Sequence, residues 1–138
     1  MPAPETSVGA IVINDGALLL IRRGRGAATG RWSVPGGRVE FGEPMASAVE
    51  REVAEETGLI VACGDHVGYV ELIAPDHHYV IHDFLAELRG PSGPLVAGDD
   101  AAEAAWVPLA EVRKADLVDG MEAFLDEHGL LPPRPAGD

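Results

Sequence analysis

Residues 44 to 58 constrain the fold more tightly than any other stretch, because both ends of a helix are written into them. Pro44 suits a first helical position, where its missing N–H has no partner to lose, with Glu43 or Gly42 before it as the cap. Gly58 stands where a helix would end in a left-handed residue. Between them Ala46, Val49 and Val53 fall on one stripe, and Glu52, Glu55 and Glu56 on another. The spacing i, i+3, i+4 gathers three carboxylates on one face, where like charges repel. The expectation is a helix with one packing face and one acidic face. That acidic face is either a solvated surface or a site for a hard divalent cation, Mg2+ or Mn2+, which prefers oxygen ligands.

The flanking sequence places strands around this helix. Thr6 to Asn14 and Ala17 to Arg22 are apolar runs separated by Asp15-Gly16, the signal of an antiparallel hairpin. Arg23 to Gly30 reads as a loop, Arg31 to Val34 as a short strand, and Pro35-Gly36-Gly37 as a break that exposes backbone carbonyls. Strands are expected near Asp65 to Ile73, His77 to Leu88 and Glu103 to Val107, with a Gly/Pro-rich loop over Arg89 to Asp100. Leu109 to Arg113 reads as a helical turn and Gly120 to His128 as a closing helix. Strands interspersed with two helices indicate an α+β or mixed α/β sandwich, helices covering a mainly mixed sheet. With 138 residues, no internal repeat and no linker, the whole chain, 1 to 138, reads as one domain, with disordered tails at about 1 to 5 and 132 to 138.

Charge narrows the partners. A net charge of −13 argues against stable binding to nucleic acid and against anionic membranes, and no apolar run reaches the length of a membrane span. The N-terminus lacks the basic and apolar segments of a secretory signal, so a cytoplasmic location is expected. Cys63 is the sole cysteine and reads as an ordinary buried thiol. Five of the ten basic residues, Arg22, Arg23, Arg25, Arg31 and Arg38, lie just before the acidic helix. Arginines beside a cation-binding face suit a phosphorylated substrate that arrives with magnesium, although each alone also reads as a solvated surface residue. Carboxylates holding a divalent ion, with free glycine carbonyls alongside, point to metal-assisted hydrolysis of a phosphoanhydride.

Residues 37 to 59 resemble the signature of the Nudix hydrolases, the MutT-like family, at each fixed position: Gly37, Glu43, Arg51, Glu52, Val53, Glu55, Glu56, Gly58 and Leu59. The resemblance implies a Nudix-type α/β/α sandwich and Mg2+ or Mn2+ held by Glu52 and Glu56, with Glu55 as a further ligand or, in some members, a base. It implies that the Gly36 carbonyl joins the metal shell and that Glu43 and Arg51 support the glutamates. A further acidic ligand from a distant loop is expected at Glu103, with Asp99 and Asp100 as competitors. Many members are dimers, so the resemblance admits a homodimer.

The wider sequence, Arg31 to Glu40 and His77 to Ala86, is similar to the compact ADP-ribose pyrophosphatases. That similarity implies cleavage of a nucleoside diphosphate linked to another moiety. Arg22, Arg23, Arg38 and His78 are the expected contacts, and Trp32 either stacks on a base or belongs to the core. The alternatives are a housecleaning nucleoside triphosphate pyrophosphohydrolase, and a nucleotide-binding module of the same fold without catalysis.

Overall fold

The computed structural model describes residues 3–26, 28–91, 93–98 and 100–134. In chain order the strands are β1 (Glu5–Ile11), β2 (Ile13–Asn14), β3 (Ala17–Arg23), β4 (Trp32–Ser33) and β5 (Gly36–Arg38). Then come α1 (Met45–Thr57), β6 (Val61–Ala74), β7 (His77–Leu88), β8 (Ala101–Pro108), a 3-10 helix (Leu109–Lys114) and α2 (Met121–Glu127).

β1 is buried from Ser7 to its end, and a strand buried on both faces must be internal to a sheet. It pairs antiparallel with β5 and parallel with β7, in a first sheet ordered β5-β1-β7-β6. The second sheet is ordered β2-β3-β4, with β8 also pairing β3. The expected hairpin is therefore corrected. Thr6 to Ile11 belongs to the first sheet, and only Ile13 and Asn14 ladder with Leu18 and Ala17. The chain changes sheets at Val12, whose carbonyl still accepts the Leu19 amide at 2.9 Å. The turn itself is as expected: Asp15 and Gly16 have φ of 51° and 75°, the paired positive angles of a tight two-residue hairpin.

Gly36 and Gly37 are likewise strand rather than break. β5 lies so close to β1 that a Cβ on Gly36 would overlap the Val8 carbonyl oxygen, so the glycine serves a close approach between strands. β6 begins at Val61, four residues before the expected start, and its register against β7 shifts near His66.

Two apolar cores lie in this framework. Val8, Ala10, Val12 and Leu19 pack with Ala48, Val49 and Val53 of α1, while Ile11, Leu18, Leu20 and Val34 pack with Val112, Phe124 and Leu125. Helical layers thus flank the strands, and no helix among the described residues is long and apolar enough to cross a membrane. Of the expected tails, residues 135–138 and 1–2 lie outside the described residues. Glu5 opens β1, and Arg134 ion-pairs with Glu122.

α1 departs from expectation on its faces. Pro44 is the cap residue itself, with neither Glu43 nor Gly42 in that role, and Gly58 closes the helix at φ 77°. Ala46 is exposed and Ala48 takes its place in the core. Glu52 and Glu56, at 9% and 1% exposure, share the buried stripe with Val49 and Val53. Only Glu55 of the three faces solvent.

Candidate active site

α1 lays Glu52 and Glu56, one turn apart, against the glycine strand β5. The Gly36 amide donates to Glu56 Oε1 at 2.8 Å. Gly37 faces Glu52, and a Cβ there would stand 2.5 Å from its carboxyl carbon. Gly37 is therefore fitted to the Glu52 carboxylate, whereas the missing side chain of Gly36 serves the approach of Val8. Burial is the main force on Glu56, raising its pKa to about 8; the Gly36 amide and Arg23 oppose that shift, and Glu52 and Asp100 add to it.

Arg51 organises the remaining carboxylates. Its Nε and Nη2 grip Glu43 at 2.8 and 3.0 Å, and Nη1 reaches Glu52 at 2.9 Å and Glu55 at 3.2 Å. Nη2 also donates to the Arg38 carbonyl at 3.1 Å, tying α1 to the end of β5. This fork holds the Glu43 carboxyl down at a pKa of about 2, helped by the Glu40 amide. Arg51 itself is pushed above its ordinary value by the same contacts. Among the described residues no three acidic, histidine or cysteine side chains converge as a finished metal cage. Glu52 and Glu55 are turned toward the guanidinium instead.

Gly36, Gly37, Arg51, Glu52 and Glu55 open onto a cleft of about 1380 Å³, and Glu56, at 1% exposure, lies behind its wall. Of the residues singled out in the sequence, Glu52, Glu55, Gly36, Arg23 and Arg38 line it. Asp100 and Arg25, an ion pair, line it too. The other expected contacts are elsewhere. Glu103 pairs with Arg22 at 2.7 Å, the two standing opposite each other in the β3–β8 register and outside the cleft. Adjacent strand residues face opposite ways, so Arg23 points in where Arg22 points out. Asp100 is the described loop acid whose charge reaches Glu56, and Asp99 lies outside the described residues. Trp32 packs in the second core, and His78 bonds Glu71 at 2.8 Å rather than lining the cleft.

Asp83 is a cleft residue to which sequence reasoning assigned no role. It lies on β7, only 5% exposed, and burial alone raises its pKa to about 7. The available signal was the one acid in the strand-like run Tyr79 to Ala86, whose other residues are apolar or aromatic apart from His82.

The NUDIX domain model matches residues 3–128, which include every element of this site, and the chain belongs to the Nudix family. The chain is 37% identical over 115 residues to an ADP-ribose pyrophosphatase from Methanocaldococcus jannaschii, an alignment covering 80% of this chain and 66% of that protein. It is 38% identical over 113 residues to a putative 8-oxo-dGTP diphosphatase 2 from Mycobacterium tuberculosis, covering 80% of this chain and 77% of the relative. Among solved structures, the MutT protein of Methanosarcina mazei Go1 superposes with a TM-score of 0.81 at 27% identity, covering 94% and 96% of the two chains.

Proposed function

We propose that this chain is a divalent-metal-dependent hydrolase that cleaves a phosphoanhydride bond in a nucleoside diphosphate linked to a second moiety, with an ADP-ribose-like substrate. The observation that carries this reading is the placement of Glu52 and Glu56 against Gly37 and Gly36, with Glu52 on the wall of a cleft that Arg23 and Arg38 also line. The kinship to an archaeal ADP-ribose pyrophosphatase supports the substrate class.

The donor set fits a hard divalent ion. It is all oxygen, two of its carboxylates are buried, and burial holds the Glu56 proton to about pH 8. Glu52 and Glu56 would hold the ion, with Glu55 and the Gly36 carbonyl as further donors and Asp100 in place of Glu103 as the loop acid. Such an ion, when bound, neutralises a pyrophosphate and acidifies a bound water. The chain's own groups do the rest: Arg23 and Arg38 receive phosphate oxygens, and Arg51 fixes the angle of Glu52. Glu55, exposed and held among the described residues by Arg51, can turn into the cleft and take a proton.

Arg51→Lys tests the fork. A lysine offers a point charge and cannot hold Glu43 at both oxygens while bracing Glu52 and the Arg38 carbonyl. Turnover should fall roughly 10–100-fold, the scale of lost support behind a metal ligand, with an increased magnesium requirement in titrations.

The second reading, a triphosphate pyrophosphohydrolase, is favoured by the mycobacterial relative. A panel of ADP-ribose, sugar nucleotides, dinucleoside polyphosphates and canonical and oxidised triphosphates with Mg2+, resolved by product chromatography, separates the two. Nucleoside monophosphate plus a phosphorylated remainder is expected. Pyrophosphate released from triphosphates alone would replace the first reading with the second.

A further inference from the structure

Asp83 is the buried charge that the hydrolytic machinery does not use. β1 places Gly9 between Gly36 of β5 and Asp83 of β7, so Asp83 sits two strand spacings, about 10 Å, from the glycine that anchors Glu56. Gly9 is fitted to it: Asp83 Oδ1 occupies the space that a Cβ on Gly9 would fill, with Val34 beside it. The carboxyl group therefore lies over the strand and against the cleft, whose walls here include Val70, Ile81, Met121 and Phe124.

Asp83 as a residue is 5% exposed, and its carboxyl is a wall of the cleft, where what remains accessible faces the cleft; a largely buried carboxyl is costly unless hydrogen-bonded. Among the described residues neither a hydrogen bond nor an ion pair meets it, and burial is the sole cause of its displaced acidity. The cost persists in a native structure where something outside the protein supplies the missing donor. Phosphates are repelled by a carboxylate, whereas the arginines Arg23, Arg25 and Arg38 lie in the same cleft with the glutamates. This polarity sets the phosphates over α1 and the uncharged part of a nucleotide toward Asp83.

We propose that Asp83 is a substrate-positioning and specificity residue, whose carboxyl hydrogen-bonds an uncharged N–H or O–H donor on the nucleoside portion of the substrate. The proposal rests on the nucleotide-hydrolase reading above. Two parts of a nucleoside carry such donors, the amino group of the base and the ribose hydroxyls.

The test uses the full chain with Asp83→Leu and Asp83→Asn, the substrate turned over in the panel, and analogues lacking either the base amino group or one ribose hydroxyl. Asp83→Leu should raise KM roughly 10–100-fold, the range for a hydrogen bond to a charged group, with kcat little changed. Its melting temperature should not fall, since the buried carboxyl is removed, whereas a structural role predicts a fall. Asp83→Asn keeps an acceptor at the same place and should lie between the two, which also serves if the leucine variant does not fold. The analogue missing the true donor should show the raised KM in the wild type and no further rise in Asp83→Leu, naming base or ribose as the source. An unchanged KM in a folded variant, or an equal penalty on every analogue, overturns the proposal alone. A wild-type chain that neither binds nor cleaves any nucleotide overturns the hydrolase reading and this one with it.

Discussion

Glu52→Gln is expected to lower kcat by at least about 100-fold, more than the 10–100-fold scale of losing support behind a metal ligand, while nucleotide still binds. The substitution is close to isosteric, so the fit of Gly37 against the side chain survives. An amide oxygen can still accept from Arg51 Nη1, now 2.9 Å from Glu52 Oε1. What vanishes is one negative charge at the place where a divalent ion needs it. Arg23 and Arg38, the proposed phosphate contacts, lie on other elements and stay in place, so affinity for nucleotide measured by calorimetry should be nearly retained as steady-state turnover collapses. Turnover equal to that of the wild type would remove Glu52 from catalysis and favour a module that binds nucleotide without cleaving it.

The legibility of this site differs residue by residue for physical reasons. The limits of α1 were readable because Pro44 and Gly58 act through backbone geometry that is intrinsic to those residues. Its buried face is less legible, because the pattern sets the glutamates on a stripe apart from Val49 and Val53, whereas Glu52 and Glu56 share that packing stripe. Positions 49, 52, 53 and 56 share the spacing of an ordinary packing stripe, and two of them are glutamates. A conflict between stripe and residue type of that kind marks a functional position. Gly36 and Gly37 were recognised as special, yet their purpose depends on what approaches them, the Val8 backbone and the Glu52 carboxyl, which are distant in sequence or reached only through a turn.

Facing and register were beyond the chain's local pattern. Arg22 and Arg23 are chemically identical neighbours, and only the pairing of β3 with β8 decides that Arg22 meets Glu103 while Arg23 meets the site. That register also explains why Glu103, the expected loop ligand, is spent on an ion pair, and why Asp100, just before β8, is the described loop acid near Glu56. The sheet switch at Val12 was hidden because Val12 is as apolar as its neighbours on either side. Asp83 acquires meaning only once β1 brings Gly9 beneath it.

Magnesium should raise the melting temperature, and the rise should grow with pH. In the metal-free protein Glu56 has a folded pKa of about 8 against an ordinary value of 4.5. Between those values the unfolded chain has released this proton and the native chain retains it, so stability falls as pH climbs from about 4.5 to about 8 and then levels. Asp83, at about 7 against 3.8, acts with the same sign over a narrower window. Glu43 acts oppositely: its folded pKa of about 2 gives a contribution complete above 4.5 and lost as pH falls toward 2. Metal-free stability should therefore peak near pH 4, where the Glu43 gain is balanced by the Asp83 and Glu56 losses, and fall above it. A divalent ion competes with the Glu56 proton, so its binding strengthens through the same window in which the free protein weakens. At 100 times its dissociation constant it contributes about 2.7 kcal/mol, which for a chain of this size raises the melting temperature by roughly 10 °C. Thermal melts at pH 5 and pH 8, with and without Mg2+, should show a small shift at the first and the full one at the second. Glu56→Gln should flatten the metal-free pH dependence and abolish most of the magnesium shift. Melting indifferent to magnesium at pH 8, or shifted equally at both pH values, would separate the buried glutamates from any cation site.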